Sequence, residues 1–403
     1  MHARTYEQWR DLLQGQALPL AVVDLDAFDR NVAHVGQLVG RRTSQMRVRV
    51  ASKSLRVPDL LRRVLAYGPP YAGVMCYAAA EAVLLYQAGF DDLLVAYPTR
   101  QPADLNALRE IHEQGATVHL VVDSLDGTEQ IARAMAGVTR PFSLIIEADV
   151  SYRPLRGRVH IGVRRSPLRT VEAVVDLVVS ARRFETICIG GVMAYEAQVA
   201  GVGDRSPFRR HLNPILRALR QRSASDVARR RQRLAQMLES AGSPPLIFNG
   251  AGTGSLTYAC DEPWLTELTA GSAFLCPHLF DYYSNITFEP ALFFALQCVR
   301  RSDADHATCF GGGYVASGQP GCDKLPLPYL PQGLTLVDNE GAGEVQTPLR
   351  ADGPLALRIG DPVIFRHAKA GELAERFSHY QLVTNDAIVG SVPTYRGLGA
   401  CFG

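Results

Sequence analysis

The chain has 403 residues, of which 47% are hydrophobic and 20% are charged, as expected for a folded globular protein rather than a disordered one. Its formal charge of +2, from 42 basic and 40 acidic residues, argues against a nucleic-acid partner. The first residues are polar and no apolar run reaches the length of a bilayer span, so we expect no signal peptide and no membrane partner. The eight cysteines include no CxxC pair, which favours a reduced, cytoplasmic protein.

The first predicted elements are an apolar run at 18–25 and a helix at 28–39, which we expect to pair outside the main series that follows. From about residue 46 to 271, short apolar runs alternate with amphipathic helical stretches, the pattern of parallel βα units. The eight predicted strands are 47–52, 72–76, 93–96, 118–122, 144–148, 187–193, 246–248 and 266–270. The predicted helices between them are 58–67, 79–88, 103–114, 127–136, 170–182 and a long one at 205–241, in which the arginine-rich run 229–233 is interpreted as a solvated face.

Eight such units predict an α/β fold of the TIM (β/α)8 barrel type. After residue 284 the helical periodicity ends, and apolar runs at 292–299, 334–337, 355–359, 362–365 and 387–392 alternate with Gly, Pro and Asp turns. We therefore predict a barrel at 17–284 followed by a smaller, mostly-β domain at 285–403, which residues 1–16 are expected to join.

Lysine is rare in this chain. Only Lys53, Lys324 and Lys369 are lysines, which leaves 42 − 3 = 39 arginines. Arginine serves wherever a solvated charge is sufficient, but it cannot act as a neutral nucleophile or form a Schiff base. Lys324 and Lys369 are equally well explained as surface lysines. Lys53 directly follows the first barrel strand, at the end of the barrel where active sites form, and is the primary candidate.

A second candidate feature is the glycine-rich run 249–255 (NGAGTGS), which follows strand seven, with Gly271 and Ser272 after strand eight. Loops at these positions bind phosphate through backbone N–H groups, and glycines allow a close approach. A glycine-rich turn that only closes the barrel is the alternative. An amine facing a phosphate site predicts a phosphorylated aldehyde, pyridoxal phosphate.

With these features the chain resembles the fold type III pyridoxal phosphate enzymes. The resemblance extends over nearly the whole chain and is carried by residues 18–27 (LPLAVVDLDA), Lys53 with its flanking serines, 73–81 (GVMCYAAAE), 88–95 (AGFDDLLV) and 191–196 (GVMAYE). These segments are more similar to D-threonine aldolase and D-serine dehydratase than to alanine racemase. The resemblance implies that Lys53 carries the cofactor as an aldimine and that Tyr195 stands beside it.

The resemblance also implies a cofactor site with further members, and an arginine that reaches the cofactor ring or a carboxylate. The phosphate is expected at Gly252, Thr253, Gly254, Gly271 and Ser272, with Asn249 nearby. Arg164, in the run 160–164 (HIGVR), is the candidate arginine, although a surface position beside Arg165 is as good an interpretation.

One motif departs from the resemblance. The lyase branch binds a divalent metal through a His and a Cys or Asp two residues later, whereas this chain has His367, Ala368 and Lys369. A protonated lysine has no lone pair for a metal, so we expect no metal site unless it is rebuilt around His367. We hypothesise that Lys369 takes over the electrostatic role of the metal while His367 exchanges a proton with the substrate hydroxyl; a solvated loop lysine is the alternative.

The sequence therefore predicts a pyridoxal phosphate-dependent lyase that cleaves or dehydrates a small amino acid, expected to be a D-β-hydroxy amino acid. An amino-acid racemase is the alternative within this class. A non-catalytic pyridoxal phosphate-binding protein and a sugar-phosphate-binding barrel are alternatives of other classes. By resemblance alone, a homodimer is expected.

Overall fold

The computed structural model describes residues 4–41 and 45–402, and its central unit is a closed barrel of eight parallel strands. All eight predicted barrel strands are present, with ends shifted by at most two residues. The barrel strands are β2 (Arg47–Ala51), β3 (Tyr71–Cys76), β4 (Leu93–Val95), β5 (Val118–Val122), β6 (Phe142–Glu147), β7 (Ile187–Met193), β8 (Ile247–Gly250) and β9 (Glu267–Ala270). The predicted TIM barrel is therefore confirmed.

Helices cover the outside of the barrel, where their apolar faces pack on the strands. None of the described helices combines the length and apolarity that a bilayer span needs. The helices in chain order are α1 (Tyr6–Leu12), α2 (Leu25–Gly40), α3 (Pro58–Leu65), α4 (Ala79–Gln87), α5 (Pro102–Glu113), α6 (Leu125–Ala134), α7 (Val171–Ala181), α8 (Ala197–Ala200), α9 (Asn213–Ser240), α10 (Leu256–Ala259) and α11 (Ser272–Leu275).

The long helix after strand β7 differs from its prediction in two respects. It begins at Asn213 rather than at residue 205, because Pro214 suits the first helical turn and the preceding residues turn toward the barrel mouth. The arginine-rich run 229–233 is not simply a solvated face: Arg231 is buried against the barrel, where it meets Glu196 and Glu262. The interpretation of that run as solvated is therefore wrong at its central residue.

The remaining strands form a second sheet of nine strands, which is the predicted mostly-β domain. Its first strand is β1 (Leu20–Asp24), which pairs antiparallel with β10 (Leu292–Arg300) and parallel with β16 (His379–Thr384). The other strands are β10 (Leu292–Arg300), β11 (His306–Phe310), β12 (Leu327–Leu330), β13 (Leu334–Leu336), β14 (Gln346–Ala351), β15 (Pro362–Arg366), β16 (His379–Thr384) and β17 (Ala387–Pro393).

The N-terminal segment packs on this second sheet. Trp9 of α1 is buried and meets Phe293 of β10 edge to face, with ring centroids 5.2 Å apart. The expected pairing of residues 18–25 outside the barrel is confirmed by β1, even though the predicted boundary of 17–284 groups that strand with the barrel. The division at residue 284 otherwise stays a prediction.

The predicted strand at 355–359 is wrong. The carbonyl oxygens of Leu355 and Leu357 accept hydrogen bonds from the Arg301 guanidinium instead of from a neighbouring strand. A side chain thus satisfies the backbone that a sheet would otherwise pair. The glycine-rich run 311–317 connects β11 to a loop at the barrel mouth, and β11 pairs with β14.

Candidate active site

A cavity of about 680 Å³ lies at the carboxyl ends of the barrel strands, between the barrel and the second sheet. That volume lies within the range of small-molecule and cofactor sites. Lys53, Lys324 and Lys369, all three lysines of the chain, line this one cavity. The rarity of lysine in the sequence and the common position of the three lysines therefore both indicate this cavity as the candidate site.

Lys53 lies in a single helical turn (Ser52–Ser54) that directly follows β2. Its side chain is exposed to the cavity, and its Nζ donates to the Tyr97 hydroxyl at 3.1 Å. The second domain covers its backbone: a Cβ on Gly371 would lie 1.8 Å from the Lys53 carbonyl oxygen, and Gly371 has φ +87°. Only glycine allows the two backbones to approach so closely. This contact holds the segment that carries Lys369 against Lys53.

The predicted phosphate loops meet beside Lys53. Thr253 Oγ1 accepts from the N–H of Ala273 at 3.2 Å, which ties the loop after β8 to the loop after β9. The hydroxyls of Ser54 and Ser272 lie 3.2 Å apart, so both loops lie next to the lysine turn. Each loop opens a helical turn, a position suited to an anion. The N–H groups of Gly252 and Ala273 already donate to Ser255 Oγ and Thr253 Oγ1, so an anion here would rely on other N–H groups and on the hydroxyls.

Most of the predicted phosphate residues face the cavity. Gly252, Thr253, Gly271 and Ser272 line it, whereas Gly254 does not. Gly254 is buried, and a Cβ there would lie 2.1 Å from the carbonyl oxygen of Ala200. This close packing explains the glycine, and a phosphate contact of Gly254 stays a prediction.

Buried arginines of α9 support these loops from behind. Arg231 pairs with Glu196 and with Glu262, the latter at 2.7 Å, and Glu196 accepts from the N–H of Ala251 at 3.2 Å. Arg220 donates to the carbonyl of Gly254 at 3.0 Å. Sequence reasoning missed both arginines, since their partners are distant in the chain.

Asn249 and Thr269 form part of the cavity floor. The Asn249 amide donates to Glu267 at 2.7 Å and to the Thr269 hydroxyl at 2.9 Å. Glu267 in turn accepts from the fully buried Arg49 at 2.6 Å. Asn249, predicted as a cofactor residue, is thus oriented by a charged network inside the barrel.

The predicted arginine is displaced by one position. Arg164 is exposed and does not line the cavity, whereas Arg165 does. The Arg165 guanidinium lies 5.6 Å from the ring centre of Tyr97 and 5.7 Å from that of Tyr195. The loop after β6 therefore turns Arg165, not Arg164, toward the site. The predicted position of Tyr195 at the cavity agrees with the structure, and burial raises its pKa to about 12.

Glu147, at the end of β6, is a further buried group beside this arginine. Burial raises its pKa to about 7, while Arg165 opposes the shift and Asp123 adds to it. The carboxyl group is thus only partly ionised at neutral pH, which sequence reasoning had no signal to find.

His367 and Lys369 lie in different environments. Lys369 lines the cavity, and its Nζ donates to Ser317 Oγ at 2.8 Å and pairs with Glu372 at 3.0 Å. His367 is buried outside the cavity wall, where burial, with Arg366 and His278, lowers its pKa to about 3. The structure therefore does not bring the two predicted catalytic side chains to one surface.

The residues at the cavity fit pyridoxal phosphate but not a divalent metal. An amine, two tyrosine rings and two N–H-rich loops match an aldehyde, a flat ring and a phosphate. The ammonium of Lys369 offers no lone pair, and the buried His367 does not face the cavity. Among the described residues, the acidic and histidine groups close enough to share a metal are Asp303, Asp305 and His306, at the start of β11 and outside the cavity.

Comparison with known proteins agrees with this architecture. A 3-hydroxy-D-aspartate aldolase of Paracoccus denitrificans (strain Pd 1222) is 25% identical over 254 residues, which are 63% of this chain and 59% of that protein. A D-threo-3-hydroxyaspartate dehydratase of Delftia sp. (strain HT23) is 26% identical over 265 residues, 65% of this chain and 62% of that protein. The chain thus matches less than two thirds of the length of these relatives.

Solved structures share the fold over a longer span. A D-threonine aldolase from Filomicrobium marinum superposes with a TM-score of 0.81 at 20% identity, covering 94% of this chain and 95% of that one. The Delftia dehydratase gives a TM-score of 0.73 at 21% identity, covering 95% and 98%. Residues 23–274, more than half of the chain, match the family model described as alanine racemase, N-terminal domain. The chain belongs to the alanine racemase N-terminal domain family.

Proposed function

We propose that this protein is a pyridoxal phosphate-dependent lyase that acts on a small D-β-hydroxy amino acid, by aldol cleavage or by dehydration. The observation that carries the proposal is the position of Lys53, exposed at the mouth of the barrel beside the loops that follow β8 and β9, where we expect the phosphate to bind. Family membership supports the cofactor, and the names of the relatives supply the reaction class. When bound, pyridoxal phosphate supplies an electron sink for bond cleavage at the α-carbon.

The chain's own residues would divide the work as follows. Lys53 would hold the cofactor and then move a proton at the α-carbon of the substrate, with its Nζ oriented by Tyr97. Thr253 and Ser272 would bind the phosphate with the N–H groups of their loops. Tyr195 would pack against the ring. The second-domain segment at 369–372 would exclude water from the face it covers.

Lys369 is proposed to supply the positive charge that a divalent metal would otherwise place near the substrate hydroxyl or carboxylate. Glu372 and Ser317 fix its ammonium at the cavity surface. The role predicted for His367 requires a movement of this ring toward the cavity, so we assign the charge role to Lys369 alone. A pure charge needs no metal, so activity is expected to persist after dialysis against a chelator.

A product screen tests the proposal. The purified protein, supplied with pyridoxal phosphate, is incubated with single enantiomers of amino acids with and without a β-hydroxyl group. Glycine with an aldehyde indicates an aldolase, and a keto acid with ammonia indicates a dehydratase. Appearance of the opposite enantiomer alone would establish a racemase instead, and a protein that binds no pyridoxal phosphate would support a sugar-phosphate barrel.

We also propose that the protein is a cytoplasmic homodimer without nucleic-acid or membrane partners. This rests on the sequence composition and on the resemblance to dimeric enzymes. Light scattering on the protein as it elutes from a gel-filtration column measures its mass. A mass of 44 kDa, rather than twice that value, would contradict the dimer.

A further inference from the structure

The segment that follows β17, residues 394–402, contacts the barrel beside Lys53. The hydroxyl of Tyr395 donates to Glu81 Oε1 at 2.8 Å, and the backbone N–H of Tyr395 donates to the carbonyl oxygen of Arg56 at 2.9 Å. Tyr395, Glu81 and Arg56 are buried, and none of them lines the cavity. This segment therefore approaches the candidate active site from behind the wall of the cavity.

Glu81, in α4, connects this segment to a residue of the cavity wall. Its other carboxyl oxygen, Oε2, accepts from the backbone N–H of Tyr77 at 2.6 Å, and Tyr77 lines the cavity. The ring of Phe402 packs edge to face on the rings of Tyr77 and Tyr395, at centroid distances of 6.1 and 5.4 Å. Because Glu81 is fully buried, a hydrogen bond lost from either oxygen is not replaced by water. Loss of the Tyr395 hydroxyl would therefore disturb the carboxyl group that also holds Tyr77.

Arg56 connects the same segment to Lys53 itself. Its Nε donates to the Lys53 carbonyl oxygen at 3.2 Å, and its guanidinium pairs with Glu375 of the second domain. Arg56 has φ +54°, a left-handed backbone conformation that is strained for a residue with a side chain. Surrounding contacts must hold such a conformation, and the N–H of Tyr395 holds it here at the Arg56 carbonyl oxygen. The position of Tyr395 is therefore transmitted to the backbone of Lys53 through one residue.

We propose that Tyr395 is a positioning residue for Lys53. Through Glu81 and Arg56 it fixes the turn from which the Lys53 amine reaches the aldehyde of the cofactor, and it touches neither the cofactor nor the substrate. The proposal rests on the proposed lyase function and deepens it. A turn that is held in place before the cofactor arrives loses less conformational entropy on binding, so the contacts of Tyr395 contribute to cofactor affinity.

The test removes the Tyr395 hydroxyl with Tyr395→Phe and uses Tyr71→Phe as the matched control. Tyr71 is also buried and its hydroxyl donates to the Val32 carbonyl oxygen at 2.5 Å, but it begins β3 at the end of the barrel opposite the cavity. Each variant loses one buried hydroxyl and its hydrogen bond, so the melting temperature of both should fall. The dissociation constant of pyridoxal phosphate is measured from the visible absorbance that develops on titration of the cofactor-free protein. It should rise about tenfold in Tyr395→Phe and by less than about twofold in Tyr71→Phe.

Pyridoxamine phosphate distinguishes the positioning of Lys53 from a general disturbance of the site. It has the ring and the phosphate of the cofactor but an amine in place of the aldehyde, so it forms no covalent bond with Lys53. Its affinity, measured by equilibrium dialysis, should be the same for the wild type and Tyr395→Phe. Equal losses for both compounds would give Tyr395 a general structural role and overturn the proposal, as would an unchanged affinity for pyridoxal phosphate. A wild-type protein that binds neither compound would overturn the lyase function itself, together with this role of Tyr395.

The route through Glu81 has its own test. Glu81→Gln keeps the size of the side chain but exchanges one acceptor oxygen for an amide group, so it should weaken pyridoxal phosphate by about the same factor as Tyr395→Phe. Because the two changes disturb one hydrogen bond, the double variant should lose no more than about tenfold in total. Losses that multiply to about a hundredfold would mean that the two residues act independently, and would overturn the route through Glu81.

Discussion

Replacement of Gly371 by alanine tests how the second domain is fixed over the candidate active site. The added Cβ would lie 1.8 Å from the Lys53 carbonyl oxygen, about 1.5 Å closer than a normal carbon–oxygen contact of about 3.3 Å. The added Cβ is fixed to the backbone of residue 371, and the oxygen belongs to the backbone of Lys53, so neither atom can rotate away. The segment carrying Lys369 must therefore move relative to Lys53 by more than 1 Å, a misplacement that reduces turnover by about 100-fold.

Gly333→Ala is the matched control for this change. Gly333 has φ +85°, close to the +87° of Gly371, but no atom lies within 4 Å of its Cβ position. Both variants place an alanine at a positive φ, a backbone strain of about 1–3 kcal/mol, and only Gly371→Ala also carries the clash. We would measure kcat on the substrate found in the product screen and the melting temperature of both proteins. If Gly371→Ala and Gly333→Ala have equal kcat values, the clash has no functional consequence and the reasoning is refuted.

Three further predictions concern buried charge and the metal. Glu147→Gln should stabilise the protein by about 1–3 kcal/mol above pH 7. The raised pKa of Glu147 means that ionising this carboxyl group destabilises the folded state, by an amount that grows from about pH 4.5 to about pH 7. Equal shifts of the melting temperature at pH 5 and pH 8 would contradict this prediction. Arg231→Met should destabilise by about 3–5 kcal/mol in thermal unfolding, because Glu196 and Glu262 lose their buried partner, and a change under about 1 kcal/mol would contradict it. Dialysis against a chelator should leave kcat unchanged, whereas Lys369→Met should lower it by about 100-fold; restoration of chelated protein by added metal would refute the charge role.

The barrel is predictable because its signal is local. Each strand and helix is a short run with its own period, and Lys53 and the loop at 249–255 follow from the rule that sites form after barrel strands. The second sheet is less predictable. The strands β11, β12, β14 and β16 have no predicted counterpart, and each pairs with at least one strand that is not its neighbour in the chain. The segment 355–359 has a strand-like pattern, but Arg301 takes its carbonyl groups.

The positions of the side chains in the site are also only partly predictable from the sequence. The sequence predicts a surface position for Arg231, because its partners Glu196 and Glu262 are about 30 residues away along the chain. The ion pairs form only in the folded protein. Arg164 and Arg165 are indistinguishable by composition, and the course of one loop decides which of them faces the cavity. Charge and rarity identify candidate residue types, whereas the loop conformation selects the residue.

The most direct test of the account is to locate the cofactor chemically. The protein is incubated with pyridoxal phosphate, reduced with borohydride and digested, and the modified peptide is identified by mass spectrometry. We predict visible absorbance before reduction and a single reduced adduct on Lys53, with Lys324 and Lys369 unmodified although they line the same cavity. A colourless protein, or an adduct on Lys324 or Lys369 in place of Lys53, would contradict the central claim.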